Sequence, residues 1–487
     1  MAGWNSGWRR LYVALLLVLA VVALLRSVRI GYADRPVGDV DSLAALRERT
    51  DLNVIFAVID TLRADRLPCY GYERNTSPIL CQLAASGVRF ARTTAESSWT
   101  KTSMASILTA TYPVSHGILR SQHAIPEEAT LPAEIFRNAG YFTSGIWRNG
   151  WVEANFGFGQ GFDIYNRPVP GATPEQAKMR TVSSYRLPGS DLDITNTVTE
   201  FLRSVRDRRF FLYLHYMDVH QYVYDGSADF GTTFSDLYDN AIHWVDRNIG
   251  ALVGQLQARG LMDKTILVIA SDHGEAFLEH GSEGHARNLY TEVIDVPLIL
   301  VLPFRLKEGI VVHERVANVD IFPTVLDLVG LDPLPGAQGE SLVPLIEAAG
   351  RGRGASLADW RSAGDRPRFS ELDLTWGRPD MVPTSLVAVT SGPRRFMAQS
   401  EGVTPPREQL FDHRDDPGEQ RDLSREDPAA AAELRAVVEA YRAFPAAPWG
   451  SPREVHLDEL RLQQLRALGY VVGESPEGAA EGDAARE

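Results

Sequence analysis

Cysteine is nearly absent from this chain. There are two in 487 residues, Cys69 and Cys81, twelve positions apart. That excludes a disulfide-dense scaffold and leaves two readings, a single bridge permitted by export or two unrelated buried thiols. Positive charge is in deficit: 49 Lys and Arg stand against 63 Asp and Glu, a net charge of −14. An acidic body argues against the nucleic-acid backbone as partner. It does not exclude an anionic substrate, because a local metal ion reverses the field in a cleft. Internal repeats are absent. Long hydrophobic runs are scarce, and the clearest is the uncharged stretch Leu11–Leu25, flanked by Arg9 and Arg10 before it and Arg26 and Arg29 after it. At about 1.5 Å per residue it is short for a spanning helix but long enough for a signal-peptide core or a thin anchor. No small-x-small cleavage site follows it, since Arg26 stands there. The expectation is an uncleaved N-terminal membrane anchor over residues 1–34, with the body outside the cytoplasm, periplasmic or extracellular. A cleaved signal is the alternative, and the arginines at both ends make charge a weak guide to orientation.

Hydrophobic content of 44% and charged content of 23% describe an ordinary globular body, long enough for a large α/β domain with a smaller companion. Residues 27–50 read as a polar linker. From Asp51 onward, apolar β-branched runs alternate with helical patterns closed by glycine. "NVIFAVID" (53–60), "YFTSGIW" (141–147), "RRFFLYLHYMD" (208–218), "DKTILVIASDHGE" (263–275) and "DVPLILVLP" (295–303) read as strands. "SPILCQLAASG" (77–87), "TLPAEIFRNAG" (130–140), residues 234–260 and "DIFPTVLDLVG" (320–330) read as helices. Three strands end in polar groups: Asp60, Asp218 with His220, and Asp272 with His273. Ligands of open α/β sheets bind beyond the carboxyl ends of strands, so these groups point to one shared site. The Gly/Arg/Ala-rich stretch 347–368 reads as a boundary between a catalytic domain (51–346) and a C-terminal subdomain (369–445), a small antiparallel sheet with a terminal helix at 427–444. Residues 446–487 read as an extension, disordered at its Glu/Ala/Gly-rich end.

Eight segments, in order, resemble the sulfatase family of the alkaline-phosphatase superfamily over roughly residues 50–445: "VIDTLRADRLPCYGYERNTSPILCQLAASGVRF", "WTKTSMASILTATYPVSHGI", "FGFGQGFDIY", "LHYMDVHQ", "ILVIASDHGE", "GHARNLYTEVIDVPLIL", "DIFPTVLDLVGL" with "QGESL", and "LFDHRDDPGEQRDL". The resemblance implies an alkaline-phosphatase-like α/β fold with a large, mostly parallel central sheet flanked by helices. It implies an ester hydrolase with one divalent ion, calcium, magnesium or manganese, with zinc as a further candidate, held by Asp60, Asp272, His273 and Thr100. Members of the family usually carry a second Asp where this chain has Thr61, and many have Asn at His273. Both departures move the site towards phosphoesterases.

The family signature places its nucleophile on Thr100, with Thr102 and Met104 where Pro and Arg are usual and Ala110 in place of Gly. Sulfatases oxidise a Cys or Ser there to formylglycine, and threonine is not a known substrate of that maturation, so formylglycine is not expected. A threonine alkoxide remains a competent nucleophile if its pKa is lowered. A Thr-bound phosphoryl group is released by water attacking phosphorus, whereas a formylglycine sulfate collapses by elimination, which Thr100 cannot do. The alternative for Thr100 is an N-cap of the helix that follows. By the same resemblance His220 stabilises charge or protonates the leaving group, and His285 binds the transferring group. Lys101, Arg148 and Asn149 are further substrate-binding candidates; the family's Lys-x-His pair is absent near the last two. Asp218 either orients His220 or has no catalytic part. His116 reads as structural, Asp295 stands where relatives often have Arg, and His280 with Glu275 and Glu279 is a weak candidate for a second metal.

These readings converge on a metal-dependent hydrolase of sulfuric, phosphoric or phosphonic esters, its substrate a small molecule, glycan or lipid. Two alternatives are a membrane-tethered phospho-headgroup transferase and a non-catalytic binding protein on this fold. Thr61, Thr100, Met104, Ala110, Asn149 and Asp295 motivate the second.

Overall fold

The computed structural model describes residues 35–171, 188–353, 366–399 and 407–457. Among these, eight strands build the central sheet: β1 (Asn53–Ile59), β2 (Val88–Thr94), β3 (Phe142–Trp147), β4 (Ile164–Asn166), β5 (Phe210–Tyr216), β6 (Thr265–Ala270), β7 (Asp295–Val301) and β8 (Ile310–Ala317). Their spatial order is β8-β2-β7-β6-β1-β5-β3-β4. Every neighbouring pair is parallel except those of β7, which runs antiparallel to both β2 and β6. β1 sits in the interior of the sheet with all seven residues buried. Helices cover both faces, so a nearly continuous apolar run is what such a strand requires. β2 and β8, which sequence periodicity did not single out, alternate buried residues with Arg89, Arg92, His313 and Glu314, and so lack that run.

The α-helices of seven residues or more are α1 (Pro78–Ala84), α2 (Thr100–Thr109), α3 (Pro132–Asn138), α4 (Asp191–Ser204), α5 (Phe234–Ala258), α6 (Ile321–Leu328), α7 (Val343–Gly350) and α8 (Pro428–Arg442). α5 is amphipathic, presenting Tyr238, Ile242, Val245, Ile249, Leu252 and Leu256 to the core, and begins with a capping box between Thr233 and Asp236. α2 differs in kind: all ten of its residues are buried. Its polar side chains are therefore committed to defined partners. Thr102 donates to the Ile118 carbonyl at 2.8 Å, Ser103 to that of Asp272 at 2.6 Å and Ser106 meets His116 Nε2 at 2.9 Å. His116 is structural, and burial lowers its pKa to about 3. α2 stops at Ala110, which adopts φ 52°, the left-handed region in which a β-carbon is strained.

A four-stranded antiparallel sheet, β9 (Arg368–Asp373), β10 (Ser385–Ser391), β11 (Arg394–Gln399) and β12 (Arg407–Asp412), forms the C-terminal subdomain with α8 against it. It is joined to the main sheet by an ionic network. Asp295 on β7 pairs with Arg395 of β11 at 2.7 Å and with Arg315 of β8 at 3.1 Å, while Arg395 also reaches Glu419 at 3.0 Å. Asp295 is thus committed to two arginines, one of them from the C-terminal sheet. Residues 35–50 are not a free linker, because Val40, Leu43 and Leu46 enter the main core. Part of the expected extension is also ordered: Arg453–Glu454 pairs with His123–Ala124. Cys69 and Cys81 are disulfide-bonded, with Cα atoms 5.3 Å apart. The Leu11–Leu25 segment and the end of the extension lie outside the described residues.

Two outcomes follow from these features. Ala110→Gly relieves the left-handed strain and raises stability by about 0.5–1 kcal/mol after the added freedom of the unfolded chain is subtracted; unchanged or lower stability in urea unfolding contradicts this. Burial raises the Asp295 carboxyl, but Arg395, Arg315 and His413 outweigh it and hold it well below the usual range. The stabilisation is therefore present above about pH 4 and lost as pH falls below it. Asp295→Asn costs about 2–4 kcal/mol at pH 7, and that difference narrows in unfolding curves taken towards pH 3.

Candidate active site

The site forms where β1 and β6 end side by side. β1 delivers Asp60 and β6 delivers Asp272 and His273, all fully buried. Thr61 takes φ 60° at the end of β1, donating its hydroxyl to the Asp60 carbonyl at 2.7 Å and its N–H to Asp272 Oδ1 at 3.3 Å. Its side chain therefore turns back on the backbone instead of replacing a carboxylate. α2 aims its N-terminus at the cluster. Its N-cap is Trp99, which makes no side-chain capping bond, so Thr100 occupies the first helical position and the capping alternative does not hold. Trp99 is wedged between Trp151 and Trp376, with ring centroids 5.1 and 4.4 Å away.

Thr100 Oγ1 lies 3.0 Å from His273 Nε2 and accepts from Asn149 Nδ2 at 3.2 Å. The His273 ring donates from Nδ1 to the Gly274 carbonyl at 2.9 Å, which leaves the Nε2 lone pair facing the site. Asn149 is oriented by its own loop: its Oδ1 accepts from Trp151 N at 2.8 Å, so its amide N–H groups point to Thr100 and, at 2.6 Å, to Asp60 Oδ2. A further histidine, His215 of β5, lies 3.0 Å from Asp60 Oδ2 through Nε2 and 2.6 Å from the Tyr213 hydroxyl through Nδ1. Ligand atoms of Asp60, His215 and Asp272 all fall within 4.8 Å of one another.

Burial raises the Asp60 carboxyl, but the His215 hydrogen bond and the charges of His220, His215 and His273 outweigh it, holding Asp60 below the usual range. Burial and then the Asp60 charge push Asp272 upward. Two carboxylates facing each other away from water behave this way when positive charge is short. Asp60 Oδ1 and Asp272 Oδ2 are buried and accept no hydrogen bond. Orphaned carboxylate oxygens beside outward-facing imidazole nitrogens fit a divalent cation.

Three imidazoles converge here. The ring centroid of His285 lies 4.4 Å from that of His273 and 4.9 Å from that of His220. His285 Nδ1 is 2.8 Å from Glu275 Oε2. Burial lowers the His285 pKa, but Glu275 overrides it and raises the value above the ordinary one. Burial brings His220 down to about 4 against the pull of Asp60. Gln221 donates to His220 Nδ1 at 3.0 Å, leaving the proton of the neutral ring on Nε2.

Two expected substrate-binding groups are not presented to the cluster. Lys101 is fully buried with its ammonium on the Ser121 carbonyl at 2.7 Å and 3.5 Å from the Phe156 ring centroid. Lys101 was expected among the substrate-binding groups, but the helical turn carries it away from Thr100. Arg148 pairs at 2.9 Å with Asp191 and at 2.5 Å with Asp218, and its other nitrogen donates to Gly189 O at 2.9 Å. Asp218 accordingly orients Arg148 and Trp244, not His220. His280 bonds Glu292 and the Glu419 carbonyl, while Glu279 pairs with Arg63, so those groups do not assemble a second metal cluster. Sequence reading missed His215 and the part played by Glu275. The available signal was an isolated imidazole near the end of an otherwise apolar buried strand.

Solved structures share this architecture. The phosphonate monoester hydrolase of Agrobacterium radiobacter superposes with a TM-score of 0.63 at 18% identity, over 80% of this chain and 95% of that one. The fold is therefore alkaline-phosphatase-like. The family follows from sequence: the family model described as Sulfatase matches residues 52–331, more than half of the chain, and the chain belongs to the sulfatase family. Human arylsulfatase A is 25% identical over 365 residues, 65% of this chain and 72% of that enzyme. N-acetylglucosamine-6-O-sulfatase of Bacteroides thetaiotaomicron is 40% identical over 119 residues, 24% of this chain. The aligned part spans only 20% of that relative's own length.

If Arg148 is a structural ion, Arg148→Met strands two buried carboxylates and lowers stability by about 3–5 kcal/mol. A fully stable variant with a raised KM is the contrary result, and unfolding curves beside kinetics distinguish them.

Proposed function

We propose that this chain is a metal-dependent hydrolase of phosphoric or phosphonic esters in which Thr100 is the nucleophile, used directly and not as a formylglycine precursor. The observation that carries the reading is the position of Thr100 Oγ1. It lies at the N-terminus of a buried helix, 3.0 Å from His273 and 3.2 Å from Asn149, beside two orphaned carboxylate oxygens. Asp60, Asp272 and His273, with Thr100, are the groups that would hold the cation. When bound, such an ion neutralises the ester's anionic oxygens and lowers the pKa of the threonine hydroxyl.

The chain's own groups supply the rest. The first-turn amides of α2 and the Asn149 amide favour negative charge on Thr100 Oγ1. That oxygen forms a bond to phosphorus as the bond to the leaving oxygen breaks. The His285 imidazolium, kept charged by Glu275, gives the leaving oxygen its proton, and neutral His220 donates a hydrogen bond from Nε2. Water then attacks the Thr-bound phosphorus, loses a proton to His285 and releases Thr100. The net products are an alcohol and a phosphate or phosphonate. Sulfuric esters fit less well, because release of sulfate from formylglycine proceeds by an elimination that threonine cannot perform. The alcohol portion belongs to a small molecule, glycan or lipid. Anchoring through residues 11–25, with the site outside the cytoplasm, completes the reading.

The test assays the chain against an aryl sulfate, a phosphate monoester, a phosphodiester and a phosphonate monoester with several divalent ions, beside Thr100→Ala. Metal-dependent turnover of a phosphorus ester, reduced at least about 10³-fold in Thr100→Ala, is expected. Equal turnover in the variant refutes the nucleophile assignment, and turnover confined to the sulfate ester refutes the choice of phosphorus.

A further inference from the structure

We infer that His215 is a direct ligand of the cation, giving a site with two carboxylates and two imidazoles. The inference rests on the metal dependence proposed above and adds to it a residue outside the expected ligand set. The argument is positional. A ring nitrogen of His215 lies within 4.8 Å of ligand atoms of Asp60 and Asp272, and its Nε2 is 3.0 Å from Asp60 Oδ2. His273 Nε2 stands 3.9 Å from Asp60 Oδ1 and 3.5 Å from Asp272 Oδ2, the two oxygens that accept no hydrogen bond. Atoms bound to one ion at about 2.0–2.2 Å lie at most about 4.4 Å apart, a limit the contacts of His273 and His215 with the two carboxylates meet.

The neighbour of Asp60 offers no competing ligand, because the Thr61 hydroxyl is directed to the Asp60 carbonyl. His215 is held at its other end by Tyr213, whose oxygen is 2.6 Å from Nδ1. Without an ion Nε2 is the atom turned to Asp60 Oδ2, at 3.0 Å; ligation exchanges its proton for the cation, and Tyr213 then holds the ring by accepting from Nδ1. The ring cannot swing away, since His215 is fully buried and lies between Val58 of β1 and Trp147 of β3 in the sheet register. Two imidazoles in place of further oxygen ligands move the preference from calcium and magnesium towards manganese and zinc.

The test uses the full chain, stripped with a chelator and reloaded with Mn²⁺ alone, and counts coordinated histidine nitrogens by pulsed electron paramagnetic resonance with ¹⁵N-histidine labelling. The wild type is expected to show two, and His215→Gln one, with about 10–100-fold weaker Mn²⁺ binding. The wild-type count decides the question even if the variant does not fold. One nitrogen in the wild type, or an unchanged count in a folded His215→Gln, overturns the inference. Weakened binding with an unchanged count also overturns it and makes His215 a positioning residue for Asp60. A folded wild type that binds no divalent ion removes the metal dependence itself, a result distinct from one bound ion with a single imidazole.

Discussion

Two carboxylates, Asp60 and Asp272, face each other out of reach of water, and most of the site can be derived from the cost of that arrangement. Each ends a neighbouring parallel strand, so their proximity is imposed by the register of β1 on β6. Uncompensated, such a pair opposes folding. Its partial compensation by Asn149, His215 and the Thr61 amide explains why three separate loops and strands are fixed around it. Those donors leave one oxygen on each carboxylate, Asp60 Oδ1 and Asp272 Oδ2, without a hydrogen bond, the feature that a cation would answer.

A second tier of buried charge holds the frame. Arg148 sits between Asp191 and Asp218 under the loop that carries Asn149, while Arg395, Asp295, Arg315 and Glu419 fasten the C-terminal sheet. Both groups of this tier are built on arginine, and at Arg148 a plain reading of residue type places a substrate contact instead. The distinction is one of direction: these guanidiniums are aimed along the protein's own carboxylates, and their five donors suit such forked contacts.

How far the sequence disclosed this varies by residue for physical reasons. Asp60, Asp272 and His273 were legible because they end apolar runs, where strand geometry fixes what the next side chain faces. Thr100 was legible from its place before an unbroken small-residue helix. Lys101 was misjudged because one helical step rotates a side chain by roughly 100°, enough to send the ammonium into aromatic rings. His215 was passed over because a histidine inside a strand pattern carries no mark of which group its ring meets; only the pairing of β5 with β1 places it against Asp60. The strands β2 and β8 escaped notice because charged residues interrupt their apolar pattern.

The packing of Trp376 against Trp99, together with the hydrogen bond from Ser370 to the Ala95 carbonyl across 275 residues, has a bearing on the order of assembly. The wall behind Thr100 is closed by a segment that follows it by 270 residues or more in the chain. Contacts so distant in sequence form late, after the chain entropy of a very large loop has been overcome. The helix bearing Thr100 therefore depends for part of its support on the docked C-terminal sheet, so a loosened sheet reaches the Thr100 hydroxyl without touching the residues around it.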